Sequence, residues 1–316
     1  MVLIIVASVA LVLSAVFAVL YVCYRIAFAV PSKTDLFGLP DTDQCSPYKS
    51  EIEGLVEKAR SIPYEEVVIR AFDGVSLYGK YYRSSPGAPV QIMMHGYRSA
   101  GGLDFCVALP FALKNGYNVL VPDQRAHGKS GGRCLTLGIK ERRDVLSWIG
   151  YATEREGPGV KVVLVGMSMG AASVLMASGL DLPENVKGIM ADCGYSSPQE
   201  ILKKVIRDRG YPVRPAYAAV RLGGMIFGGF DVGSASASDA LTRCRIPVLL
   251  IHGEDDRFVP CEMSEENCRC CAAENKKLVT FPRAGHGMSY FEGRERYLSE
   301  MLSFLSAIGL GSKVEK

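Results

Sequence analysis

Beyond residue 63 the chain alternates two rhythms of apolar residues, and that alternation predicts a layered α/β domain. Runs at Glu65–Ala71, Val75–Tyr82, Pro89–Met94, Tyr117–Val121, Val160–Val165, Val186–Ala191, Ile246–Ile251 and Lys277–Phe281 have the length and composition of strands. Phe72-Asp73-Gly74, between the first two, predicts a tight turn and so an opening hairpin. Helical spacing takes over at Gly102–Lys114, Thr136–Arg155, Ser168–Gly179, Glu262–Glu274 and Ser289–Ile308. Strands separated by helices imply parallel pairing, because a parallel connection needs a crossover that an antiparallel hairpin does not. About 50 residues, 195–245, separate two successive strands where about a dozen suffice, which predicts an inserted cap.

The first 62 residues follow a different pattern. Met1 to Tyr24 carries no charged side chain, and as a helix rising about 1.5 Å per residue it reaches roughly 35 Å, enough to cross a bilayer. Residues 1–30 therefore read as a single membrane-spanning helix, with residues 1–24 in the lipid. A secretory signal would start with basic residues and carry a shorter apolar run, although Ala27-Phe28-Ala29 resembles a cleavage site. Arg25 and Lys33 follow the helix and no Lys or Arg precedes it, which puts the remainder in the cytoplasm by the positive-inside rule. Only two charges carry that orientation, so the reverse topology stays open. Residues 31–62 read as a linker in which Ile52, Leu55, Val56 and Ala59 recur at the spacing of one short amphipathic helix. Residues 63–316 are then one domain.

Composition sharpens this in three ways. With 48% hydrophobic residues over 316 positions, the chain can bury one large core. A net charge of +3 is close to balance, so no nucleic-acid partner is indicated. The ten cysteines form no spaced framework and read as reduced thiols. Cys261, Cys268 and Cys271 fall on one helix face as core residues, and no metal is expected.

The most informative stretch joins the run at Val160–Val165 to Gly166-Met167-Ser168-Met169-Gly170 and a following helix. A serine hydroxyl becomes a useful nucleophile only when held clear of the backbone, where a base can take its proton. Flanking glycines permit the tight elbow that does this. Ends of parallel strands are where such sheets collect ligands. Here they lead into His95-Gly96-Tyr97, Pro122-Asp123, His252-Gly253-Glu254-Asp255-Asp256 and Arg283-Ala284-Gly285-His286-Gly287.

This ordered set resembles the α/β-hydrolase fold family over Pro63 to Ile308. The family's serine elbow matches Gly166–Gly170, its H-G motif His95-Gly96, its H-G-x-x-D-x-x-V-P segment His252–Pro260, and its late G-H-G Gly285–Gly287. The resemblance implies a mostly parallel sheet of about eight strands flanked by helices, with a small helical cap after strand 6. It implies the chain order nucleophile, acid, histidine, and of the four histidines (95, 127, 252 and 286) only His286 follows the candidate acids. The implied triad is Ser168, Asp256 and His286. Asp255 and Glu254 adjoin Asp256, and family spacing alone ranks Asp256 first. The backbone N–H groups of Tyr97 and Met169 are the implied oxyanion donors. His95 and His252 read as satisfying backbone groups. His127 lies in a segment, Asp123 to Ser130, whose charges brace the fold in relatives.

The expected function is a membrane-anchored serine hydrolase that cleaves carboxylic esters or thioesters through an acyl-enzyme, with no cofactor. A serine peptidase and a non-catalytic binding module are the alternatives. Cap cations Lys203, Lys204, Arg207, Arg209, Arg214 and Arg221, with Asp208 the acid among them, make an anionic, lipid-like acyl ester or the anionic membrane surface candidate partners. The Gly-spaced apolar segment Leu222–Phe230 is the expected lining of the acyl pocket.

Overall fold

The computed structural model describes residues 1–30 and 42–311. Helices α1 (Val2–Phe28) and α2 (Lys49–Arg60) precede the hairpin β1 (Glu65–Arg70) and β2 (Ser76–Tyr82), after which β3 (Val90–Met94) begins the parallel part. Then come α3 (Gly101–Asp104), α4 (Ala108–Lys114), β4 (Asn118–Pro122), α5 (Glu141–Glu156), β5 (Val162–Met167), α6 (Met169–Ala177) and β6 (Val186–Asp192). The cap follows as α7 (Pro198–Asp208), α8 (Val213–Gly223), a π-helical turn at Gly224–Gly228, and α9 (Ala237–Leu241). The chain closes with β7 (Val248–Gly253), α10 (Cys261–Cys270), β8 (Lys276–Phe281), α11 (Ser289–Glu292) and α12 (Arg294–Ala307).

All eight strands join one sheet in the order β1-β2-β4-β3-β5-β6-β7-β8. β1 and β2 run antiparallel and the other pairs are parallel, apart from the β2–β4 junction. Every residue of β3, β4 and β7 is buried, which is why those strands read as unbroken apolar runs. Successive side chains point to opposite faces, so Ile92 and Leu164 enter a core with Trp148 of α5 and Leu175 of α6, whereas Met93 and Val165 enter another with Leu109 of α4 and Phe304 of α12. Ile52, Val56 and Ala59 of α2 belong to that second core, so this part of the expected linker packs on the domain.

Four expected helices have different limits, three of them for an evident local reason. Gly102–Lys114 is interrupted after Asp104, and the helix restarts at Ala108, where Pro110, which has no N–H to donate, falls in a first turn. Thr136–Arg155 begins only at Glu141, because Leu137 and Gly138 take positive φ of 53° and 90°. The Glu141 carboxylate accepts from the N–H groups of Thr136 and Gly138 at 2.8 and 2.9 Å and fastens that turn. Glu262–Glu274 stops at Cys270, with Cys271 already extended. Ser289–Ile308 breaks at Gly293, where a Cβ would lie 2.7 Å from the Phe281 ring.

The apolar cap segment also differs from expectation. It packs on α1 and contributes nothing to the cavity over Ser168: Phe227 meets the rings of Phe17, Tyr21 and Tyr24, and Phe230 meets Phe28. Backbones touch here because a Cβ on Gly223 would lie 2.6 Å from the Leu20 carbonyl oxygen. At its far end α1 is held by the loop after β3. Tyr97 Oη donates to the Ala27 carbonyl at 3.0 Å, and the Arg98 guanidinium donates to the carbonyls of Ile26 and Ala29 at 2.7 Å each. Those donors satisfy carbonyls that a helix end leaves without partners.

Candidate active site

Register brings the strand ends to one rim. Met94 pairs with Gly166, Met167 with Asp192, Asp192 with Ile251, and Gly253 with Phe281. The residues that follow β3, β5, β7 and β8, together with the end of β6, therefore leave the sheet side by side.

Ser168 occupies the first of these turns with φ 54° and ψ −115°, a conformation that costs about 1–3 kcal/mol for a residue with a side chain. Its surroundings impose it. The Ser168 N–H donates to the Asp192 carbonyl at 2.8 Å, and a Cβ on Gly170 would lie 1.8 Å from the Met94 carbonyl oxygen. On Gly166 a Cβ would lie 2.5 Å from the Gly170 carbonyl oxygen. Only glycine fits at either position.

His286 Nε2 lies 2.9 Å from Ser168 Oγ, and its Nδ1 lies 2.6 Å from Asp256 Oδ2. Asp256 is fixed in turn, since its Oδ1 accepts from the N–H groups of Phe258 and Val259, both at 2.8 Å. The neighbouring acids turn elsewhere: Glu254 accepts from Thr280 Oγ1 at 2.6 Å, and Asp255 lies 3.5 Å from Arg257. Burial pushes the Asp256 carboxyl up, but the facing imidazoles of His286 and His252 outweigh it and hold the acid well below the usual carboxylate range. Burial pushes His286 down, yet Asp256, Asp192 and Asp104 reverse the sign and leave its pKa raised. Such a chain can accept a proton from the hydroxyl and stabilise the resulting imidazolium.

Tyr97 lines the same cavity as Ser168 and His286, and Met169 opens α6, where a helix leaves its first N–H groups without internal partners. The loop carrying Tyr97 is fastened by a half-buried carboxylate that the sequence did not single out. Asp104 Oδ2 accepts from the Gly96 N–H at 2.6 Å, and its Oδ1 from Ser99 Oγ at 2.5 Å. His127 also serves this loop, its Nε2 accepting from the Arg98 N–H at 3.2 Å while Nδ1 faces the Arg125 carbonyl at 2.9 Å. His95 accepts at Nε2 from the Gln124 N–H at 3.0 Å, and burial pushes its pKa down to about 4, so it stays neutral. His252 faces Ser264 Oγ at 2.6 Å and the Val259 carbonyl at 2.8 Å. Arg125 is buried against Asp144 and reaches Asp73 at 3.0 Å, bracing the hairpin.

Asp192, at the end of β6, is the other group that sequence reasoning missed; a carboxylate closing an apolar strand was the available signal. Tyr297 Oη donates to its Oδ2 at 2.9 Å, whereas its buried Oδ1 has no partner among the described residues. Burial pushes its pKa to about 6. Because its charge helps to raise His286, Asp192→Asn is expected to lower the His286 pKa. A base must be neutral to act, so activity falls as pH drops through that value, and the acid limb of kcat/KM should move to lower pH in the variant. An unmoved limb in a folded, active variant would contradict the coupling.

A cavity of about 570 Å³ opens over Ser168, a volume within the range of small-molecule sites. Phe105, Val107, Met190, Met288, Phe291 and Met301 contribute to its largely apolar wall. At the mouth the charges are mixed, Lys204 and Arg257 with Asp43 and Asp208. Lys203 and Arg221 of the cap already pair with Glu200 and Asp231, at 2.8 and 2.7 Å. One cluster with metal-ligand atom types occurs among the described residues, Cys193, Asp256 and His286, whose donor atoms lie within 4.8 Å of one another. It suits a metal poorly: both imidazole nitrogens face other groups, and burial pushes the Cys193 thiol well above its ordinary pKa, away from the thiolate that a metal needs.

Known proteins share this architecture. An esterase of Pyrococcus furiosus superposes with a TM-score of 0.63 at 25% identity, covering 79% of this chain and 93% of its own. The uncharacterized protein YqkD of Bacillus subtilis is 27% identical over 248 residues, 77% of this chain and 81% of that protein. The bifunctional esterase/perhydrolase DCH of Acinetobacter calcoaceticus is 25% identical over 280 residues, 74% of this chain and 97% of its own. The model of the alpha/beta hydrolase family matches residues 91–300, so with its eight-stranded, mostly parallel sheet and helical layers the chain belongs to the alpha/beta hydrolase family.

Proposed function

We propose that this protein is a membrane-anchored serine hydrolase that cleaves carboxylic esters or thioesters of apolar acyl groups. The observation that carries the reading is the unbroken contact chain Ser168–His286–Asp256 at 2.9 and 2.6 Å, whose Ser168 and His286 line a largely apolar cavity. Kinship with esterases from Pyrococcus furiosus and Acinetobacter calcoaceticus supports the choice of bond.

In this account His286 Nε2 takes the Ser168 proton as Oγ attacks the carbonyl carbon, and Asp256 stabilises the imidazolium that forms. Negative charge builds on the former carbonyl oxygen and is met by the N–H groups of Tyr97 and Met169, each such donor being worth about 3–4 kcal/mol in comparable sites. The tetrahedral intermediate collapses as the imidazolium returns its proton to the departing alcohol or thiol. Water, activated by the same imidazole, then frees the acid and restores Ser168. Residues 1–30 are the anchor, 31–62 the linker, and 63–316 the catalytic domain, with 195–245 as its cap.

The test is a series of chromogenic esters and thioesters of increasing acyl length, given to the full chain beside a matched peptide. Turnover should rise with acyl length until the cavity is filled. Absence of turnover throughout the series, or faster cleavage of the peptide, would overturn the reading.

A further inference from the structure

The cap presents large apolar side chains that the described residues leave about half uncovered. Leu222, Met225 and Ile226 are 46%, 47% and 52% exposed. Their spacing of i, i+3 and i+4 places them on one face of the helical segment that ends α8 and continues through the π turn. Their neighbour Phe227 points the other way, into the rings of Phe17, Tyr21 and Tyr24 on α1.

That contact fixes the level of the face along α1. The helix is uncharged up to Tyr24, and Tyr21, Tyr24 and Arg25 are the residue types that mark a membrane–water boundary. From Tyr24 back to Phe17 is seven residues, roughly 10 Å along the axis. Phe227 thus sits within the outer ~10 Å of the layer that α1 enters, the depth at which amphipathic helices lie. A helix fastened there by Gly223 against Leu20, by ring contacts and by Arg98 at its end has little freedom to lift the cap away.

We infer that Leu222, Met225 and Ile226 are embedded in the interfacial layer of the bilayer that α1 crosses, so that the cap is a second membrane contact. The inference rests on α1 being the anchor. It places the cap, from whose α7 Lys204 and Asp208 reach the mouth of the cavity, against the lipid.

The test uses full-length chain in phosphatidylcholine vesicles brominated either near the head or near the end of the acyl chain. Trp148, the one tryptophan, is fully buried and supplies a constant background. Ile226→Trp should add emission that is lost to bromine, more to the shallow label than to the deep one, and Met225→Trp should repeat the result. Leu11→Trp on α1 should be quenched more by the deep label. If Leu11→Trp is quenched and both cap variants are not, the cap inference falls while the anchor stands. If Leu11→Trp is also unquenched in protein that co-sediments with vesicles, the anchor reading and the inference fall together.

Discussion

Ser168→Ala is expected to lower kcat by about a million-fold, the loss seen when a serine nucleophile is removed from comparable hydrolases. The oxygen that would form the acyl bond disappears, and among the described residues no other hydroxyl bonds to His286. Folding should be unaffected. Alanine keeps the same Cβ in the same φ of 54°, the backbone bond from residue 168 to the Asp192 carbonyl survives, and only a 2.9 Å side-chain contact is lost. A thermal midpoint within a few degrees of wild type, beside abolished ester turnover, is the expected pair of results. Substantial turnover by a clean variant would show that the nucleophile is elsewhere.

Asp256→Asn should cost about ten-thousand-fold in kcat, the effect measured for the corresponding change in a serine protease. The reason lies in the two ends of this carboxylate. Oδ1 accepts two backbone N–H groups, and the amide oxygen of asparagine can continue to do so. The amide nitrogen then faces His286 Nδ1 and donates where the carboxylate accepted, which favours the imidazole tautomer with its proton on Nε2, unable to take one from Ser168. Loss of the negative charge also removes a cause of the raised His286 pKa, so the acid limb of residual activity should shift to lower pH. Wild-type kcat in the folded variant would contradict the role.

Legibility from sequence followed the physics of each element. Buried parallel strands announce themselves, because a strand covered on both faces must be apolar throughout, and all eight are where the runs place them. Helix limits were less visible, since three of the four turn on one residue acting on its surroundings: Pro110 by a missing donor, Gly138 by a backbone turn, Gly293 by the nearness of Phe281. At the site, glycine-flanked turns made Ser168 and His286 conspicuous, and strand register explains why they meet. Asp104 and Asp192 were not conspicuous. Each matters through partners 8 and 105 positions away, Gly96 and Tyr297, which no local pattern encodes. The cap segment misled for the same reason. Glycines spaced among large apolar residues signal close packing without saying against what, and the surface they meet is α1, about 200 residues earlier.

The most direct measurement is to treat the wild-type chain with a fluorophosphonate, which reacts with a serine only when a base has activated it, and to map the adduct by peptide mass spectrometry. The account predicts a single adduct on Ser168, absent in the Ser168→Ala and His286→Ala variants. An adduct on another residue, or none in protein that hydrolyses esters, would contradict it.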